Sequence, residues 1–156
     1  MSNHSLKLIA KGKISDVYLR GKDEAVKLYH PTWPEKNIRV ELEKTTLLYN
    51  AGLPVPKVKG IDSFNGRSGL VFEYIDGESL LQMLQKTPWK FHEIFSLLGK
   101  QHKRIHRYQL SSLPLQSKIL SNFIEASSEI SQVNKHKLIG FLTQLSNDSV
   151  VCHGDF

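Results

Sequence analysis

Apolar residues change their spacing once along this chain, and that change limits what it can fold into. Up to Tyr74 they come in short runs broken by small turn formers; after Pro88 they recur at helical intervals. Short β-branched runs read as strands, whereas the later spacing puts Phe91, Ile94, Phe95, Leu98, His102 and Ile105 on one helix face. The pattern predicts an α+β protein, with antiparallel strands in its N-terminal half and helices in its C-terminal half.

Leu6–Ala10, Val17–Arg20 and Glu24–Tyr29 read as the first three strands. Gly12 and residues 13–16 form a small polar turn between the first two, and Gly21-Lys22-Asp23 forms the next turn. Strand, small turn, strand is also the form of a loop whose N–H groups and hydroxyl can reach a phosphate, which singles out Gly12 and Ser15. An ordinary hairpin gives the same pattern. In the third strand, period two puts Ala25 and Lys27 on one face and Val26 and Leu28 on the other.

A helix is predicted over about residues 34–51, with Thr32 and Glu35 at capping-box spacing, Pro34 in its first turn, and Gly52 and Pro54 ending it. Ile38, Leu42, Thr45 and Tyr49 form its stripe. Glu41 and Glu43 lie roughly 200° apart around such a helix, so only one of them can face Lys27. Pro54 and Pro56 keep the next segment extended, leading into a strand that ends near Ser63. Asn65-Gly66 predicts a two-residue hairpin turn. A fifth strand follows at Gly69–Tyr74, and helices are expected at about 79–85, 90–108, 115–127 and 134–145. The last carries Leu138, Phe141, Leu142 and Leu145 at i, i+3, i+4, i+7. Val150-Val151-Cys152 reads as a short buried strand that delivers His153-Gly154-Asp155-Phe156 into a loop, where Asp155 could accept a proton from a hydroxyl.

At 156 residues the chain has room for a real core, and 40% hydrophobic with 23% charged residues places it among globular proteins. No stretch reaches membrane-spanning length, residues 1–13 lack a leader pattern, and one cysteine suits a reducing cytoplasm. A net charge of +6 can signal a nucleic-acid partner. Its densest segment, Lys100–Arg107, ends a helix, where cations suit the helix dipole. His102 and His106 have the spacing of two helical metal ligands, but no clear third ligand accompanies them, and no metal is assigned there.

Taken in order, these motifs resemble the aminoglycoside phosphotransferases and their choline-kinase-like relatives, small-molecule kinases with a protein-kinase-like fold. The resemblance rests on the glycine turn at Gly12, Ala25-Val26-Lys27, the glutamate helix, Leu53-Pro54-Val55-Pro56-Lys57-Val58, the hinge-like Glu73-Tyr74-Ile75-Asp76-Gly77, the histidine helix and His153-Gly154-Asp155. It implies a five-stranded antiparallel N-lobe with one helix over residues 1–74, then a hinge and an incomplete, mostly helical C-lobe over 75–156. It further implies that Ala25 leaves room for adenine and that Lys27 holds the α- and β-phosphates. Glu41 is favoured over Glu43 to orient Lys27, though Glu43 stays open. Main-chain groups of Glu73 and Ile75 would meet the adenine edge, Gly12 and Ser15 the phosphates, and Asp155 would serve as catalytic base. The implied cofactors are ATP or GTP with Mg²⁺, whose ligands are expected beyond residue 156. The chain is thus expected to be an N-terminal part that is inactive alone. Its expected partners are the nucleotide and a small-molecule hydroxyl acceptor, without nucleic acid or membrane. The competing readings are a basic nucleic-acid-binding module and a nucleotide-binding pseudokinase.

Overall fold

The computed structural model describes residues 6–145 and 150–152. The chain divides into two compact units, Met1–Met83 and Leu84–Phe156.

The first unit is built on β1 (Leu6–Lys11), β2 (Ser15–Arg20), β3 (Glu24–Tyr29), β4 (Val58–Phe64) and β5 (Arg67–Glu73), with α1 (Glu35–Asn50) between β3 and β4. The five strands form one antiparallel sheet in the order β1-β2-β3-β5-β4. β3 is therefore central, which explains why it is apolar on both faces. On one face Val26 and Leu28 pack with Val71, covered by Leu6, Tyr18 and Phe64. On the other, Tyr29 and Leu70 meet Ile38 of α1, with Trp33, Leu42, Val58, Ile61 and Phe72 around them. Ile38 is the fully buried residue of the predicted helix stripe. Burying such a side chain contributes roughly 1.5–3 kcal/mol, enough to seat the helix on the sheet.

The β4–β5 turn has Asn65 at φ 50° and Gly66 at φ 76°, both left-handed, as its sequence predicts. A Cβ on Gly66 would touch nothing within 4 Å, so its cost is conformational alone. Gly66→Ala is expected to lower the unfolding free energy by about 1–2 kcal/mol, read as a lower urea midpoint at unchanged slope.

The start of α1 departs from expectation. Pro34 is the N-cap, and no side chain caps the helix. Thr32 is held in a turn that Trp33 N–H closes onto His30 O, two residues too early to act as the cap. The capping box therefore does not form.

α2 (Leu80–Lys86) runs across the division between the units. The second unit has a 3-10 turn at Pro88–Lys90, then α3 (Phe91–Ile105), α4 (Gln116–Ala126) and α5 (Gln132–Leu142). α3 is shorter than its apolar period implies, because Arg107 and Tyr108 bond three residues back, to Arg104 O and Ile105 O, and so turn the chain. α4 and α5 pack on each other. α5 starts two residues before the predicted 134, because the Ser131 hydroxyl accepts from Asn134 N–H and caps it. It ends at Leu142, so Leu145 lies past the helix. Ile94 and Val151 are buried, whereas Phe95, Phe123 and Phe141 stand 56%, 69% and 62% exposed.

The predicted terminal strand is reduced to a single bridge between Gln109 and Val150, with Val151 N–H on Tyr108 O at 2.9 Å. Val151 is buried but Cys152 is exposed. A three-residue run finds one partner residue, not a strand's length of them. Among the described residues no helix is long and apolar enough to cross a membrane.

Candidate functional site

Every candidate residue but Asp155 lies in the first unit. Asp155 lies outside the described residues.

Lys27 sits in the middle of β3, opposite Val17 of β2 and Leu70 of β5. Its alternation puts it on the face that α1 covers. There its Nζ donates to Glu41 Oε1 at 2.5 Å, with the two side chains 27% and 33% exposed. Glu43, on another side of the helix, is exposed. The phase of α1 on the sheet thus selects Glu41 from the two carboxylates that spacing left open. A lysine ammonium has three donors and no acceptor. One is taken by Glu41, and a partly exposed ammonium keeps the others for an anion.

Ala25 shares the face of Lys27 and lies between Leu19 and Phe72 in the register. It is the small residue between two larger apolar neighbours. Beyond it, β5 ends at Glu73. Glu73 N–H donates to Lys57 O, and Tyr74 N–H donates to Asp23 O, both main-chain bonds that continue the sheet's edge. Lys57 N–H, however, goes to the Glu73 carboxylate at 2.9 Å and so does not occupy the Glu73 carbonyl. Ile75 is 60% exposed, and its main-chain N–H bonds no described residue. An acceptor at Glu73 and a donor at Ile75, two residues on, match the paired edge of a purine base.

The β1–β2 turn is tied to the far end of β3. His30 N–H donates to Ile14 O at 2.9 Å, and the His30 ring lies 3.3 Å from Gly12 O. A Cβ on Gly12 would fall 2.7 Å from the Ser15 carbonyl, so this tight turn admits no side chain there. Ser15 opens β2 opposite Tyr29 and is only 6% exposed, the least accessible of the candidates. Arg67 braces the end of β3, donating to Tyr29 O at 2.9 Å and to Leu28 O at 3.1 Å. At the opposite end Glu24 lies between Lys59 and Arg20, whose hydrogen bonds hold its carboxyl below its ordinary pKa.

One residue beside Lys27 escaped the sequence reading. Tyr29 is 1% exposed, and the Lys27 ammonium lies 5.2 Å from its ring centroid. Its hydroxyl is buried and makes no hydrogen bond among the described residues. Burial first, and then a weak hydrogen-bonding approach to the Glu41 carboxylate and its charge, push its pKa up. Period two from Lys27 already put this ring on the same face; that was the available signal.

The fold is that of the kinase-like phosphotransferases. Aminoglycoside phosphotransferase APH(3″)-Id from Streptomyces rimosus superposes at a TM-score of 0.59 and 15% identity, covering 96% of this chain and 62% of its own. APH(2″)-IIa, in its gentamicin complex, superposes at 0.53 and 16% identity, covering 89% of this chain and 50% of its own. The chain thus spans less than two thirds of the first protein and half of the second. None of the curated proteins matches it. The pattern of the phosphotransferase enzyme family matches residues 5–156, and the chain belongs to that family.

Proposed function

We propose that this chain forms the nucleotide-binding part of an ATP- or GTP-dependent phosphotransferase that moves the γ-phosphoryl group to a hydroxyl of a small molecule. The Lys27–Glu41 pair carries the reading, a lysine from the central strand held by a helix glutamate on the face that it shares with the small Ala25. Phosphoryl transfer asks a protein mainly for positioning and for charge at the phosphates. Glu41 fixes where the Lys27 ammonium points, and Lys27 gives its remaining N–H groups to the α- and β-phosphate oxygens. The Glu73 carbonyl and Ile75 N–H meet the edge of the base over Ala25. The turn at Gly12 covers the phosphates, with Ser15 behind it. Asp155 is the group assigned to the acceptor hydroxyl, orienting it and taking its proton. Magnesium would neutralise phosphate charge, but no group of three or more His, Cys, Asp or Glu among the described residues could hold it. That both fold neighbours are named aminoglycoside phosphotransferases, one holding gentamicin, supports an aminoglycoside-like or amino-alcohol acceptor.

Calorimetric titration of the chain with ATP and GTP tests the site. One of them should bind, with an affinity that changes by less than about tenfold between 50 and 200 mM salt, where a nucleic-acid contact surface would lose far more. Ala25→Trp should abolish that binding while the circular dichroism of the sheet persists. Binding unaffected by the tryptophan would place the nucleotide elsewhere.

A further inference from the structure

We propose that Tyr29 is a positioning residue for Lys27: its ring seats the ammonium, and its buried hydroxyl is a second donor held ready for the Glu41 carboxylate. The inference rests on the nucleotide reading of this site. Three observations converge on it. Lys27 Nζ lies 5.2 Å from the ring centroid, within the distance at which an ammonium is attracted to an aromatic face. The ring cannot swing away, being 1% exposed, packed with Ile38 and Leu70, and braced through its carbonyl by Arg67 Nε at 2.9 Å. Its hydroxyl is fully buried and forms no complete hydrogen bond among the described residues, with the Glu41 carboxylate beside it as the acceptor in reach, an arrangement for which packing alone would not need tyrosine over phenylalanine.

The hydroxyl has one evident use. It lies close enough to Glu41 for that carboxylate to help raise its pKa, so it stays protonated and remains a donor. Lys27 now holds Glu41 at 2.5 Å. When phosphate oxygens draw the ammonium outward, the carboxylate loses part of its partner, and the Tyr29 hydroxyl can take its place. Glu41 then stays fixed, and Lys27 moves between two defined partners above the same ring.

The experiment compares a nucleoside triphosphate with its nucleoside, because only the triphosphate uses Lys27. Tyr29→Leu should weaken triphosphate binding by about 2- to 30-fold, the range spanned by exposed to desolvated cation–ring contacts. Tyr29→Phe, which keeps the ring, should weaken it by about 2- to 10-fold, the worth of one net hydrogen bond. Nucleoside affinity should hold within about twofold, and in a Lys27→Ala background neither change should have a further effect, as coupling through one partner requires. If Tyr29→Leu does not fold, Tyr29→Phe in the two backgrounds decides. Equal losses for nucleoside and triphosphate, additive losses in the Lys27→Ala background, or no loss at all would overturn the proposal. If Lys27→Ala itself leaves triphosphate affinity unchanged, the nucleotide reading of Lys27 fails and takes Tyr29 with it. Dependence on Lys27 without dependence on Tyr29 overturns Tyr29 alone.

Discussion

Lys27→Ala should weaken triphosphate binding by about 10- to 150-fold, the worth of a hydrogen bond to a charged group, while leaving the fold intact. The size follows from what is removed. Lys27 is a partly exposed cation on the face of β3 that α1 covers, and Glu41 holds it there at 2.5 Å. Stability should change little, because Glu41 is 33% exposed and water can cover the carboxylate left behind. Calorimetry gives the affinity, and a melting curve on the same sample separates lost binding from lost folding. Glu41→Gln should produce a smaller loss in the same direction, since the amide can still accept from the ammonium but no longer attracts its charge.

Asp155→Asn in the whole protein should do the opposite. Turnover should fall by roughly 10²–10⁴-fold, the usual range for a positioned acid or base, with nucleotide affinity almost unchanged. The carboxylate is assigned to the acceptor hydroxyl and not to the nucleotide, so its loss should appear in the chemical step. Nucleoside diphosphate release measures turnover, and calorimetry on the same variant measures affinity. A purely structural Asp155 predicts lost folding, with both quantities falling together. Near-normal turnover would remove the catalytic role from His153-Gly154-Asp155.

The sheet was legible in the sequence because its signals are local. β3 starts and ends at the predicted residues Glu24 and Tyr29, and Asn65-Gly66 turns as its two positive-φ positions require. What stayed hidden depends on how elements meet. Spacing showed that only one of Glu41 and Glu43 can face Lys27, but the choice belongs to the rotation of α1 about its axis, which the burial of Ile38 against Leu70 and Tyr29 sets. The burial of Tyr29 is a property of that same contact, so the residue read as no more than a strand end. Val150-Val151-Cys152 has strand composition, yet a strand needs a partner of equal length, and among the described residues only Gln109 pairs with it. The α5 cap was local and still missed: Ser131 stands where a cap belongs, three residues before the N–H it accepts.

The most direct measurement of the central claim asks which lysine lies beside the phosphates. An adenosine bearing a sulfonyl fluoride at its 5′ end places an electrophile where the α- and β-phosphates would lie, and mass spectrometry of the digested chain identifies the residue it modifies. The account predicts an adduct on Lys27 that excess ATP suppresses and Ala25→Trp prevents. Labelling spread over Lys100, Lys103 and other exposed lysines, indifferent to ATP, would contradict it.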